Sequence, residues 1–341
     1  MTEFTPPWER DNWLGDDELE QQIRHKIDNG RFSHGWMLAG ASGIGKATLA
    51  YRIARAVLDH ASLVDSSSLQ ISDTSQASKL VTAKAHPDLF IAERRFDEKK
   101  GRYENEITVE TIRKLTSFLN RTASLSKWRV AIIDKADELN RNAANALLKA
   151  LEEPPKDTLI LLVCDAPGRL IATIRSRCRR LDLRPLKASQ ISDFLVSENV
   201  TDDEDATAIA SVAKGRPGYA LELAAGEGGE AIAALDELCK AAFGNGTPAI
   251  LIQTLTGKTG DQRWSIFKSL LLETITDTVR AVASEDETTS QFAAIPISQL
   301  TALSGDINAL IAKGEGLNLD RAQLLHSIVR KTRAAYGNKA A

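Results

Sequence analysis

The stretch GASGIGKAT, which starts at Gly40, combines glycines and a lysine at the spacing used to bind phosphate groups. A phosphate-binding loop runs Gly, four residues, Gly, Lys, then Ser or Thr, and Gly40, Gly45 and Lys46 fit this pattern. Its backbone N–H groups, exposed by glycines such as Gly43, point at phosphate oxygens, and the lysine reaches the β and γ phosphates. Ala47 stands where a hydroxyl normally coordinates Mg²⁺. The stretch therefore predicts a nucleotide-binding loop that has lost its metal ligand.

The neighbouring residues supply the elements that such a loop requires. Residues 36–39 are apolar and predict a short strand, and residues 48–58 have the apolar periodicity of a helix. Strand, glycine loop and helix is the order that the motif needs. Thr48 does not replace the missing hydroxyl, because one further residue along a helix turns the side chain by about 100°. A tight strand-to-helix turn without a ligand is an equal alternative for the loop's present use.

A second candidate functional position follows the apolar residues 130–133. In P-loop ATPases a strand ends in Asp, which holds magnesium, and many have Glu next to it to polarise the attacking water. Asp134 fits the first role, but Lys135 occupies the second position. An exposed ammonium is protonated at neutral pH and has no lone pair that could accept a proton. Asp134 could alternatively cap the helix that follows it.

Composition and charge exclude several classes of protein. The chain has 341 residues, 43% of them hydrophobic, which is enough for two or three domains. Its net charge of −3 argues against a protein that wraps nucleic acid by bulk charge. No apolar run approaches the roughly 20 residues of a membrane span, and the N-terminus lacks a signal-peptide pattern, so we expect a cytoplasmic protein without membrane contacts. Cys164, Cys178 and Cys239 lack the spacing of a disulfide framework or zinc site.

Strand and helix patterns alternate over the first half of the chain. Strands are predicted at residues 89–92, 129–134, 159–164 and 181–183, and helices at residues 109–119 and 141–153. This alternation predicts a parallel, doubly wound α/β sheet over residues 1–183. The serine-rich residues 59–78 predict a surface excursion rather than a core element.

From residue 187 onward the pattern is wholly helical. Helices are predicted at residues 188–198, 202–213, 217–225, 229–243, 263–282 and 319–335. Residues 243–248, FGNGTP, predict a linker because two glycines, an asparagine and a proline lie together. The predicted units are therefore residues 1–183, 184–243 and 248–341.

Long motifs carry a resemblance to a known family. They read VAIIDKADELNRNAANALLKALEEPP and APGRLIATIRSRCRRLDLRPL, together with SHGWMLAGASGIGKATLAYRIARAVL around the glycine loop. These motifs resemble the AAA+ subunits of the bacterial DNA polymerase III clamp loader, most closely its delta prime subunits. The resemblance is dense over residues 30–225. It implies an α/β P-loop (AAA+) parallel-sheet domain at 1–183, a small helical lid at 184–243 and an all-helical collar domain for oligomerisation at 248–341.

The resemblance also implies a function and partners. Clamp loaders of this family are rings of five AAA+ subunits that open a sliding clamp and place it on primed DNA during replication. The implied partners are the gamma or tau motor subunits and the delta subunit of a hetero-pentamer, with the clamp and DNA reached through the complex. That complex belongs to the DNA polymerase III holoenzyme, a DNA-directed DNA polymerase and nucleotidyltransferase. The isolated chain is not expected to be an enzyme.

In this family an arginine in a Ser-Arg-Cys motif completes the ATP site of the neighbouring subunit. The motif here is Ser176, Arg177 and Cys178. A guanidinium beside the γ phosphate would neutralise charge in the transition state. The alternative is an ordinary surface arginine in a basic cluster, whose other members are Arg175, Arg179, Arg180 and Arg184.

Three positions depart from the motor subunits of the family. Ala47 replaces Ser or Thr, Lys135 replaces Glu, and Gly218 stands where the lid has an arginine that senses the γ phosphate. Metal ligation, water activation and lid-side charge stabilisation are therefore expected to be lost, although Arg216 could compensate for Gly218. The resemblance then implies a non-hydrolysing subunit that keeps Arg177 for a neighbour. No cofactor is required, and binding of ATP or ADP is left open.

A fourth departure concerns zinc. Family members commonly carry a four-cysteine zinc module after the loop helix, and a structural zinc site needs four Cys or His ligands. Residues 59–86 contain no cysteine and only His60 and His86. The chain is therefore expected to hold no zinc.

Two other functions stay open at this point. One is an active P-loop ATPase, such as a motor subunit of a clamp loader, although Ala47, Lys135 and Gly218 all argue against it. The other is an adaptor in which bound ATP or ADP only stabilises the fold.

Overall fold

The fold is taken from a computed structural model, which describes residues 5–30, 33–65, 67–72, 74–97, 102–104, 106–224, 228–244, 246–256, 260–288, 290–317 and 319–337. Contacts along the chain divide it into two units, which meet between Leu221 and Glu222. The first unit carries the glycine loop, the Ser-Arg-Cys motif and Gly218. The second unit is helical.

Five parallel strands form the central sheet of the first unit. The strands of the described chain are β1 (Gly35–Ala39), β2 (Leu89–Ala92), β3 (Phe96–Asp97), β4 (Arg102–Tyr103), β5 (Arg129–Ile133), β6 (Thr158–Cys164) and β7 (Arg179–Asp182). The sheet has the order β2-β5-β6-β1-β7, and β3 pairs with β4 in a separate hairpin. Every residue of β1 and β6 is buried, which is expected for parallel strands covered on both faces.

The strand register brings several chain segments to one edge of the sheet. Ala39, the last residue of β1, lies level with Cys164 of β6 and Asp182 of β7. The Gly40 N–H donates to the Cys164 carbonyl oxygen at 3.4 Å. Residues that follow these strands therefore meet at the carboxyl edge, where parallel α/β sheets bind their ligands.

The first unit also contains helices, and the second unit is formed by helices. In the first unit they are α1 (Asp17–Asp28), α2 (Lys46–Leu58), α3 (Gln76–Thr82), α4 (Val109–Leu119), α5 (Arg141–Glu152), α6 (Ala172–Arg175), α7 (Ala188–Ser197), α8 (Asp203–Ala213) and α9 (Pro217–Ala224), the last of which continues past Leu221. The remaining described helices are α10 (Gly228–Phe243), α11 (Ala249–Thr256), α12 (Gly260–Ala283), α13 (Ile297–Gly316) and α14 (Arg321–Gly337).

The two faces of the sheet have separate hydrophobic cores. Side chains alternate between the faces along each strand, so Leu38 joins the core that contains α2, whereas Met37 joins the core that contains α4 and α5. Leu49 of α2 and Leu147 of α5 are fully buried against these opposite faces. The sheet and its two cores give the residues at the carboxyl edge a rigid support.

The prediction that residues 59–78 form a surface excursion is wrong in part. Leu69 is 1% exposed and Ile71 is 7% exposed, and the Leu69 N–H donates to Glu20 Oε1 at 2.9 Å. Ser75 then caps α3 by accepting a hydrogen bond from the Ser78 N–H. The serines serve turns and a helix cap, and the few apolar residues between them reach the core.

In the second unit, α10 packs against α11, α12 and α14, while α13 packs between α12 and α14. Leu238, Phe267, Ile307 and Ile328 are fully buried there. The predicted linker 243–248 connects α10 to α11, so it lies inside this unit.

The sequence prediction of a parallel α/β sheet followed by helices is confirmed. The last strand begins at Arg179 rather than at residue 181. The sequence patterns do not predict α1, α3 or the β3–β4 hairpin, and the boundaries of the predicted lid and collar stay a prediction. In the part of the chain that the structure describes, no helix is both long enough and apolar enough to span a membrane.

Candidate functional site

The glycine loop has the backbone geometry of a phosphate-binding loop. It joins the end of β1 to the start of α2, where Lys46 is the first helical residue. Gly43 and Gly45 have φ angles of 77° and 99°, a region that residues with a Cβ seldom adopt. The glycines at these two positions are therefore required by the turn that leads into the helix.

Lys46 is engaged by three acceptors of the chain itself. Its Nζ donates to the carbonyl oxygens of Gly40 at 2.7 Å and Ala41 at 2.6 Å. It also lies 2.7 Å from Asp165 Oδ1. The side chain of Lys46 is only 3% exposed. An ammonium has three N–H donors, so all three have acceptors within the protein.

Asp134 and Lys135 follow β5 at the same edge of the sheet. Burial raises the pKa of Asp134, and the negative charges of Glu93 and Asp165 add to this effect. Lys135 is exposed, with its Nζ 3.9 Å from Glu138 Oε1. Asp134 does not cap α5, because Asn140 accepts the hydrogen bond from the first turn of that helix. The position next to Asp134 therefore carries a cation that is paired with a carboxylate.

The first turn of α9 lies directly on the glycine loop. The Gly218 N–H donates to the Gly43 carbonyl oxygen at 2.7 Å, and a Cβ at position 43 would lie 2.7 Å from the Tyr219 backbone nitrogen. Arg216 is buried, its Nε donates to the Ala213 carbonyl oxygen at 3.0 Å, and its guanidinium lies over the Tyr219 ring. These contacts hold Arg216 against its own helical segment.

Trp13 covers the other side of the loop. A Cβ at Gly45 would lie 3.1 Å from Trp13 Nε1. This indole nitrogen is buried and has no hydrogen-bond partner among the described residues. The loop is thus enclosed by Trp13 on one side and by α9 on the other.

Arg177 lies outside this enclosed region, in the turn between α6 and β7. Its Nη2 is 2.8 Å from Glu152 Oε1, and its Nη1 donates to the Thr173 carbonyl oxygen at 3.0 Å. The side chain is 35% exposed. Cys178 is buried, and Ser176 donates to Thr173, so the motif presents its arginine outward while its cysteine packs inward.

The basic cluster around Arg177 is a solvated surface. Within it, Arg180 pairs with Asp182 at 2.6 Å. Its other members, Arg175, Arg179 and Arg184, are exposed. Arg177 differs from these three arginines because it is only partly exposed and is held by Glu152 and the Thr173 carbonyl oxygen.

The described residues contain no cluster of metal-ligating side chains. Across the described ranges, His, Cys, Asp and Glu side chains do not form any group of three or more that could hold a metal ion. Cys164, Cys178 and Cys239 are free and buried, and burial raises their pKa values to about 12, 12 and 11. These thiols are therefore protonated at neutral pH. With Ala47 in the loop and Asp165 on Lys46, the residues present do not fit a magnesium-bound nucleotide.

Comparison with known proteins gives the family. A family model described as DNA polymerase III, delta subunit matches residues 15–187, half of the chain. The chain belongs to this DNA polymerase III delta subunit family. The matched residues include the glycine loop, Asp134, Asp165 and Arg177, whereas Gly218 lies beyond them.

Relatives of this delta-family chain are DNA polymerase III subunits. It is 36% identical to subunit delta' of Pseudomonas aeruginosa over 50% of its own length and 46% of the relative. It is 34% identical to subunit delta' of Escherichia coli, covering 62% and 60%, and 29% identical to subunit gamma of Buchnera aphidicola, covering 62% and 56%. The chain spans about half the length of the curated relatives it matches.

Sequence reasoning about this delta-family chain missed Asp165. The structure brings Asp165 to the loop lysine, together with the predicted Gly40 and Lys46. One signal was available, because Asp165 directly follows the predicted strand at 159–164 and so falls on the edge that carries the loop. Arg177 lies elsewhere, in the turn before β7, where its side chain pairs with Glu152.

We expect Gly43→Ala to destabilise the loop of this delta-family chain. A left-handed φ costs an alanine about 1–2 kcal/mol, and the new Cβ would collide with the Tyr219 backbone. Thermal unfolding should therefore occur at a lower temperature, and hydrogen exchange at the Gly218 amide should become faster. Gly168→Ala is the control, since nothing lies within 4 Å of a Cβ there. Equal melting temperatures for the two variants would contradict this account of the loop.

Proposed function

We propose that the chain is a non-hydrolysing subunit of a DNA polymerase III clamp loader, equivalent to delta prime. In this role it helps to load the sliding clamp onto primed DNA in replication and donates Arg177 to the ATP site of a neighbouring subunit. One observation carries the proposal: Asp165, a carboxylate of the chain itself, engages the loop lysine, while Arg177 is partly exposed. The chain's own loop has lost the groups for ATP hydrolysis, and its arginine is available to a neighbouring subunit. Both features fit a subunit that supports ATP hydrolysis at a neighbour's site.

Three groups that ATP hydrolysis requires are missing at the chain's own loop. Ala47 offers no oxygen to magnesium, and Lys135 offers no base for the attacking water. Gly218 carries no side chain, and its backbone N–H is used by the loop. These losses support the non-hydrolysing role over the alternative, an active motor subunit.

Arg177 is physically suited to act in trans. Its ion pair with Glu152 is partly exposed, and such pairs contribute about 0–1 kcal/mol. The guanidinium can therefore leave Glu152 for a phosphate at little cost. A planar fork of N–H donors then matches two phosphate oxygens, which a lysine would not do.

The proposed partners follow from the family. They are the gamma or tau motor subunits and the delta subunit of a hetero-pentamer in the cytoplasm, with the clamp and primed DNA contacted through the complex. The helices α11 to α14 of the second unit, which share a buried core with α10, are proposed to contribute the collar. The complex would act as part of the polymerase holoenzyme, with no catalysis by this chain alone.

One observation favours a second function, that of a nucleotide-binding adaptor. The buried indole N–H of Trp13 lies against Gly45 and has no partner among the described residues. Buried donors usually have an acceptor, and a nucleotide could supply one. A rise in melting temperature with ADP, without turnover, would support this function, because a ligand of the folded state raises stability.

The proposal is tested by ATP turnover of the isolated chain, with and without Lys46→Ala. We expect both proteins to show the same background rate. The proposal would be contradicted by a rate clearly above background that disappears with Lys46→Ala, since the loop would then be an active site.

A further inference from the structure

We propose that Asp165 is a nucleotide-excluding residue, whose carboxylate takes the place of a nucleotide phosphate as the anionic partner of Lys46. The inference deepens the proposed function and rests on it in one respect, the loss of hydrolysis at this chain's own loop. In this account Asp165 is the residue that converts a phosphate-binding loop into a structural element that excludes nucleotide.

The first support is the complete use of the Lys46 donors. Nζ lies 2.7 Å from Gly40 O, 2.6 Å from Ala41 O and 2.7 Å from Asp165 Oδ1. A phosphate oxygen could gain an N–H from Lys46 only by displacing one of these acceptors. Asp165 is the only one of the three that is charged, so it provides the strongest competition with an anionic ligand.

The second support is the fixed position of Asp165. It follows the buried strand β6, whose last residue, Cys164, lies level with Ala39. Its own N–H donates to Asp137 Oδ1 at 2.9 Å. Because the Asp165 backbone is fixed next to the loop, its carboxylate meets Lys46 without the loss of translational and rotational entropy that a free ligand would suffer on binding.

The third support is the charge around the loop. Burial raises the pKa of Asp134, and the negative charges of Glu93 and Asp165 raise it further, while Lys135 and Lys84 act in the opposite direction. A di- or triphosphate would add negative charge to the same place. Magnesium could screen that charge in a phosphate loop, but Ala47 removes the hydroxyl that would help to hold it.

The fourth support is the packing of α9 on the loop. Gly218 donates to the Gly43 carbonyl oxygen at 2.7 Å, and the Tyr219 backbone lies against Gly43. These contacts hold the loop at Gly43, while Asp165 holds the side chain of Lys46. The loop is thus stabilised by the protein's own groups in the way that a bound nucleotide would stabilise it.

The test is calorimetric titration of the isolated full chain with ADP and with ATP. Asp165→Asn removes the charge with little change of shape, and we expect it to bind ADP at least about tenfold more tightly than the wild type. Asp182→Asn is the matched control, because it removes an exposed carboxylate that pairs with Arg180 at the end of β7. The gain should disappear in the double variant Asp165→Asn, Lys46→Ala.

Asp165→Ser covers the case in which the asparagine variant fails to fold. The inference is overturned if folded Asp165 variants bind ADP no better than the wild type, if Asp182→Asn gains as much, or if the gain survives Lys46→Ala. ATP turnover by the wild-type chain would instead overturn the proposed function. Absence of turnover together with no gain in binding would overturn only the role of Asp165.

Discussion

Arg177→Ala is expected to abolish most ATP turnover at one site of a reconstituted clamp-loader assembly. Arginines supplied to a nucleotide site contribute about 10³–10⁵-fold to turnover in other phosphoryl-transfer systems. The Arg177 side chain is 35% exposed and held by Glu152 and the Thr173 carbonyl oxygen, so its removal should leave the fold intact. We expect both ATP turnover and clamp loading on primed DNA to fall, with unchanged assembly.

Arg175→Ala is the matched control for this experiment. Arg175 is an exposed arginine two residues earlier, at the end of α6. It shares the local charge of Arg177 but stands outside the Ser-Arg-Cys motif. Equal losses for the two variants would mean that the basic surface matters as a whole, and the specific role of Arg177 would be contradicted.

Among the substitutions described here, Asp88→Ala is expected to lower the free energy of unfolding most. Asp88 is 2% exposed, and its carboxylate accepts N–H bonds from Ser124, Leu125 and Ser126 at 2.6, 2.7 and 2.9 Å. Hydrogen bonds to a charged group contribute about 1.5–3 kcal/mol each. We therefore expect the free energy of unfolding of the first unit to fall by about 3 kcal/mol or more, as measured by urea denaturation.

Asp65→Ala provides a control with a similar arrangement at the surface. Asp65 accepts N–H bonds from Ser67 and Ser68, but it is exposed, so water can replace its carboxylate. Its removal should cost less than about 1 kcal/mol. A loss for Asp88→Ala that is no larger would contradict the account of Asp88 as a buried anchor.

The stabilisation by Asp88 should also depend on pH. Burial alone would raise the pKa of Asp88, but the N–H groups of Ser126, Ser124 and Leu125 outweigh it and hold this pKa below its ordinary value. A carboxyl with a lowered folded-state pKa stabilises the protein above its unfolded pKa, about 3.9, and this stabilisation is lost as the pH falls through the folded value. The difference between wild type and Asp88→Ala should therefore be constant near neutral pH and shrink below about pH 4.

Local patterns were sufficient to predict much of the fold. The apolar strands are buried on both faces of a parallel sheet, and this burial produces the continuous apolar runs seen around Val130 and Leu159. The helix predicted at residues 109–119 matches α4. The role of the loop glycines can also be predicted from the sequence, because the turn at Gly43 and Gly45 requires positive φ angles.

Contacts between distant residues could not be predicted in the same way. Leu69 packs in the core that includes residues of α1, and its N–H donates to Glu20 on that helix. No local pattern in a serine-rich stretch indicates such distant partners. The contact of Gly218 with Gly43 depends on how α9 folds back onto the loop. Asp165 was within reach of prediction from its place after β6, but its pairing with Lys46 depends on the strand order, which places β6 beside β1.

In the proposed function this chain contributes Arg177 to a neighbouring subunit and hydrolyses no ATP at its own loop. The most direct measurement adds the chain in increasing amounts to a clamp-loader assembly that lacks it and records ATP turnover. We predict that turnover rises with the wild type and equally with Lys46→Ala, but not with Arg177→Ala. A rise that requires Lys46 and persists without Arg177 would contradict the claim.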